Sequence, residues 1–150
     1  MGKENVGNCV FCKILDGVYP ISEIYSDEVC VGLMTIEPVN RGHAMIIPRQ
    51  HFPYLSDLPP DIAGHIFKVG QKVAAAIRAS DIACDGINMF VADGEMAMQE
   101  VFHFHLHIYP RVAGDGFGFK YDNRHFNKPP REELDRVAKS IRDKMHTELE

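Results

Sequence analysis

Three histidines stand at alternate positions, His103, His105 and His107, interleaved with Phe102, Phe104, Leu106 and Ile108. Side chains alternate faces along a strand, so a strand here puts the three imidazoles on one face and the apolar groups on the other. Protonating one ring disfavours protonating the next, so at least one stays neutral near pH 7. A neutral imidazole is both a nucleophile and a metal ligand; the plain alternative is a solvated polar face that happens to use histidine. A second set is Cys9 and Cys12, spaced so that two thiolates on a turn converge on one ion. Two histidines would complete a tetrahedral site. The competing reading is a redox dithiol, which sits best where a strand enters a helix, and no strand precedes Cys9. Cys30 and Cys84 lie within or beside apolar runs and read as buried free thiols.

The elements that must position these groups follow from periodicity. A helical turn is expected over 9–15, then strands over 23–25, 29–35 and 43–48. Residues 37–42 read as a loop. Ile62, Ile66, Val69, Val73 and Ile77 recur at helical spacing, which predicts a long amphipathic helix ending near Ala79. Further strands are expected over 86–91 and 101–109, then a Gly- and Pro-rich loop over 110–130. Leu134, Val137, Ala138, Ile141 and Met145 mark a C-terminal helix. Five strands in runs around one long helix imply an α+β fold with a mainly antiparallel sheet.

The chain has 150 residues, which suits one domain, with 45% hydrophobic and 25% charged residues. Its net charge of -5 offers no broad basic field for a nucleic acid. No apolar run reaches the roughly 20 residues of a membrane span. Met1 to Asn8 are polar and lack a signal-type apolar core, so a cytoplasmic protein with reduced cysteines is expected, without a membrane partner.

The pattern His-φ-His-φ-His-φ-φ, with Gln99 four residues ahead, resembles the histidine triad family of nucleotide hydrolases and transferases. The resemblance extends over about 9–117. It includes Phe11-Cys12-Lys13-Ile14, Gly42-His43, Ile46-Ile47-Pro48-Arg49-x-His51 and Pro110-Arg111. The pair of N-terminal cysteines is similar to the bacterial, Hint-like, zinc-bearing branch. The resemblance implies one histidine-triad domain over 1–150, with its core at 9–117 and a C-terminal extension over 118–150. It implies that His105 attacks the α-phosphorus of a nucleotide phosphoramidate or dinucleoside polyphosphate, forming a nucleotidyl-histidine that water releases. His107 and Gln99 would lie near the phosphoryl oxygens, with His107 assisting the leaving group, and His43 would lie close by. For His43 a strand-start histidine bonded to backbone is an equal alternative. Structural zinc would be held by Cys9, Cys12, His51 and His103, with no organic cofactor. By position, Phe11, Ile14, Leu33 and Ile36 would wall a base pocket; each is also a plausible core residue. Arg111 would neutralise a phosphate or form an ion pair. The family's homodimer is the expected assembly.

Three positions depart from the family pattern. Thr35 stands where an aspartate usually holds the ribose hydroxyls, Ala92 where asparagine is frequent, and Met98 where glycine precedes the glutamine. Weakened binding of ordinary purine nucleotides, or a different leaving group, is expected from them. A non-catalytic nucleotide-binding module and a catalytic metal held by all three triad histidines are the competing functions.

Overall fold

The computed structural model describes residues 7–145, so residues 1–6 and 146–150, His146 among them, lie outside it. The chain divides into two compact units, Met1–Gly116 and Phe117–Glu150. The first contains α1 (Val10–Leu15), β1 (Glu23–Ser26), β2 (Cys30–Met34), β3 (Ala44–Pro48), α2 (Pro60–Ala79), β4 (Gly86–Phe90) and β5 (Leu106–Arg111). The strands form one sheet in the order β1-β2-β3-β5-β4, with every neighbouring pair antiparallel. This is the α+β architecture the strand pattern implies.

Alternation sorts the sheet's side chains between two cores. Cys30, Ala44, Ile46, Leu106 and Ile108 pack with Ile66, Val69, Val73 and Ile77, the apolar stripe of α2. Val31, Leu33, Met45 and Ile47 pack with Cys9, Phe11 and Cys12 at α1. Each such aliphatic side chain contributes about 1.5–3 kcal/mol when fully buried. Helix α2 lies close to the sheet at Gly70, where a Cβ would fall 2.6 Å from Met89 Cε and 3.0 Å from Leu106 Cδ2.

The last strand differs from its expected bounds of 101–109. Residues 101–105 bend outside the ladder, and β5 begins at Leu106. The cause is a competing bond: Phe104 N–H donates to Phe52 O at 2.6 Å instead of to a neighbouring strand. At the other end β5 runs through Pro110 to Arg111. Proline is tolerated because β3 pairing stops at Ile108, and the Pro110 carbonyl points off that side to Asn40 Nδ2. The expected 110–130 loop is therefore shorter. It also holds a 3₁₀ turn, Asn123–Phe126, capped by the Asp122 side chain on Arg124 N–H.

The second unit carries that turn and α3 (Arg131–Met145). Leu134, Val137, Ile141 and Met145 form the expected stripe, yet all are exposed. Phe117 and Phe119 are exposed as well. None of the described helices is long and apolar enough to cross a membrane.

Candidate active site and metal centre

The register of β5 places His107 opposite Met45 and Phe90, on the α1 face of the sheet. The rings of His105 and His107 lie 4.7 Å apart, and the edge of Phe11 meets His103 and His105 at 5.8 and 5.1 Å. His43, at the entry to β3, is buried beside them. It follows Gly42, whose φ of +98° and contact with Ile82 leave no room for a side chain.

Each ring has a partner that fixes its proton. A carbonyl only accepts, so His105 Nδ1–H donates to His103 O at 2.8 Å, and His105 Nε2 carries the lone pair. His103 Nε2–H donates to Pro48 O at 2.8 Å, leaving Nδ1 as its lone pair. A backbone N–H only donates, so His43 Nδ1 accepts from Val39 N–H at 3.0 Å. His43 Nε2–H then donates to His107 Nδ1 at 2.9 Å, which puts the His107 proton on Nε2. Burial keeps these rings neutral. It pushes His43 down to about 4 and His105 below the usual histidine range. Burial, with the neighbouring His105 and His43, pushes His107 down to about 3.

The four expected zinc ligands converge. Cys9 Sγ and Cys12 Sγ lie 3.5 and 3.6 Å from His103 Nδ1. His51 Nδ1 lies 3.3 Å from both Cys12 Sγ and His103 Nδ1. A tetrahedral zinc with ordinary bond lengths separates sulfur from nitrogen by about 3.6 Å and nitrogen from nitrogen by about 3.3 Å. The donor set therefore fits that ion. The cysteines are free thiols, and Cys9 and His103 are fully buried.

Other sequence-nominated residues have different surroundings. Gln99 is buried, and its amide is spent: Oε1 accepts from Gly94 N–H, while Nε2 donates to Pro53 O and Val101 O. Arg111 grips Asp115 through Nε and Nη2 at 2.6 and 2.8 Å and reaches Asn88 Oδ1 through Nη1. Phe11, Leu33 and Ile14 belong to the α1-side core, whereas Ile36 is 96% exposed. Thr35 Oγ1 accepts from Glu37 N–H at 3.3 Å. Ala92 is buried. Met98 adopts φ +67°, a left-handed conformation that favours glycine, and its side chain is exposed. Sequence reading missed Val39, Asn40 and Asp115: Asn40 bonds to Pro110 and Asp115, 70 and 75 residues away, and Val39 bonds to His43 only because the loop between them turns back. The only signal was the turn-forming Asn40-Arg41-Gly42 just before His43.

A HIT-domain family model matches residues 17–114. The chain belongs to the HIT family. It is similar to a HIT family protein of Bacillus anthracis, whose crystal structure is 40% identical with a TM-score of 0.84, covering 91% of this chain and 96% of that one. A zinc-bound histidine triad family protein of Mycobacterium smegmatis is 38% identical with a TM-score of 0.72, covering 95% and 99%. An adenylylsulfatase of Arabidopsis thaliana, HINT3, is 38% identical over 109 residues, which cover 72% of this chain and 54% of that protein.

Proposed function

We propose that this protein is a nucleotide hydrolase or transferase that cleaves a phosphoramidate or phosphoanhydride at the α-phosphate. The observation that carries the reading is the His105 tautomer: Nδ1–H is held by His103 O, so Nε2 offers a lone pair on a buried, neutral ring. Nε2 attacks the α-phosphorus, and the bond to the leaving group breaks as the new P–N bond forms. His107, protonated at Nε2, gives its proton to the departing atom. Water then attacks the nucleotidyl-histidine, its proton passes to His107 Nε2 to replace the one given up, and the P–N bond breaks to release the nucleoside monophosphate and His105. Dividing one displacement into two lowers each barrier. Phe11, Ile14 and Leu33 supply the apolar wall for a base. Gln99 acts by holding the 94–101 segment against Pro53 rather than by donating to phosphate.

Cys9, Cys12, His51 and His103 would hold zinc, which would supply structural cross-linking of three segments and a fixed His103. Arg111 is committed to Asp115 and Asn88 and serves the end of β5.

The test is AMP release from adenosine 5′-phosphoramidate by the wild type and by His105→Ala, without added metal. Turnover that falls by about 10⁴-fold or more in the variant is expected. Equal turnover in both proteins, or binding without turnover by the wild type, would refute the covalent reading.

A further inference from the structure

The loop between β2 and β3 is fastened to the end of β5 by one side chain. Asn40 Nδ2 donates to Pro110 O at 2.9 Å and to Asp115 Oδ2 at 2.8 Å. Both partners are acceptors, so the amide orientation is determined. The Asp115 side chain is only 5% exposed, and its charge is balanced by the two-pronged grip of Arg111. Asn40 therefore bonds to a rigid anchor. Its own carbonyl accepts from His43 N–H at 3.1 Å, closing a turn around Arg41-Gly42. That turn aims Val39 N–H at His43 Nδ1.

The consequence lies three bonds away. Neutral imidazole has two tautomers of similar energy, and the partner of one nitrogen chooses between them. With Val39 N–H in place, His43 must carry its proton on Nε2 and give it to His107 Nδ1. His107 then presents Nε2–H outward. Without Val39 N–H, His43 can accept at Nε2 instead. His107 would then donate from Nδ1 and present only a lone pair at Nε2, where a leaving group needs a proton.

We propose that Asn40 is a positioning residue for His107: its clasp on Pro110 and Asp115 holds Val39 N–H against His43 and so keeps the His107 proton on Nε2. The proposal rests on the reading of His107 as proton donor to the leaving group. It gives a surface-loop asparagine, which touches no substrate, control over a proton in the site. The Asp115–Arg111 ion pair becomes the anchor of that control and not a phosphate clamp.

The test combines tautomer measurement with two substrates. Long-range ¹H–¹⁵N spectra of the wild type at neutral pH should show His107 protonated at Nε2 and accepting at Nδ1. In Asn40→Ala the His43 and His107 signals should shift toward mixed tautomers. The variant's kcat should fall about tenfold on an adenosine phosphoramidate, whose amine leaves with a proton. It should fall far less on an adenosine phosphorofluoridate, whose fluoride needs none, and KM should stay within about twofold. A wild-type His107 protonated at Nδ1 overturns the proposal whether or not the variant folds. So do unchanged tautomers in a folded variant, or equal losses on both substrates. Absence of wild-type turnover on both substrates counts against the proposed reaction alone, and the spectra still decide the role of Asn40.

Discussion

Two clusters in this chain use the same vocabulary of ligands. Cys9, Cys12, His51 and His103 bring four potential ligand atoms within 4.8 Å of one another, and so do the three of Asp27, Cys30 and His65. Their bonding separates them. In the first, the far nitrogen of His103 is spent on Pro48 O, so its near nitrogen faces both thiols as a bare lone pair. In the second, the carboxylate is already satisfied. Asp27 Oδ1 accepts from Val29 N–H and Cys30 N–H at 2.8 Å each, and Oδ2 accepts from Tyr25 OH at 2.7 Å and His65 Nε2 at 2.6 Å. Burial pushes the Asp27 carboxyl up, but the bonds from Cys30, His65, Tyr25 and Val29 outweigh it and hold it well below the usual range. Burial and the Asp27 charge push the Cys30 thiol up to about 12, so it stays protonated and ligates poorly. The first cluster has lone pairs awaiting a cation. The second has donors arranged around an anion, and it ties the β1–β2 turn to α2. Residue type nominates a metal site, and unspent lone pairs decide it.

That contrast can be broken by measurement. The largest expected effect is on Cys12→Ser, which should lose near-stoichiometric zinc and melt about 10 °C or more below the wild type. Equal zinc content by elemental analysis and an equal melting point would erase the distinction between the clusters.

Asp27→Ala should leave zinc content unchanged yet cost about 2–3 kcal/mol, because several donors lose their shared acceptor. Denaturant titration measures this, and pH sharpens it. The folded carboxyl titrates below its unfolded value of about 3.9, so its contribution is complete above that pH. The contribution fades as pH falls below that value toward the folded one. The gap between wild type and Asp27→Ala should therefore be constant from neutral pH to about pH 5 and narrow below about pH 4. A gap that widens on acidification would mean that the cage is not what holds this carboxylate.

The smallest effect belongs to His65→Ala. Its pair with Asp27 has side chains 38% and 25% exposed, and the carboxylate keeps its other donors. A loss of about 0.5–1 kcal/mol is expected by the same titration. A loss as large as that of Asp27→Ala would make His65 the centre of the cage.

The amphipathic periods were legible where short-range rules govern. The stripe from Ile62 to Ile77 foretold α2, with Ile66, Val69, Val73 and Ile77 buried. The same kind of stripe foretold α3, yet every described residue of that helix is exposed. Periodicity determines which side chains share a face. It carries no information about whether another element covers that face. The triad strand was legible in its alternation, since Phe104, Leu106 and Ile108 do pack on the α2 side. Its start was not, because the bond from Phe104 N–H to Phe52 O joins segments far apart in sequence.

The candidate site divides along the same line. By itself the sequence determined the residue types: a histidine row, a cysteine pair, the turn glycine before His43, and with them the family. Those are properties of side-chain chemistry and of spacing within a few residues. Only the tertiary structure decided where each proton sits. The partners that choose it are backbone groups: His103 O for His105, Pro48 O for His103 and Val39 N–H for His43. Tertiary structure likewise spent Gln99 on Pro53 O, which no spacing rule foretells, whereas Arg111 forms the ion pair that was one of its two readings. A hydrogen bond depends on the position of atoms in three dimensions, and for a buried imidazole that position distinguishes a nucleophile from a ligand or a proton donor.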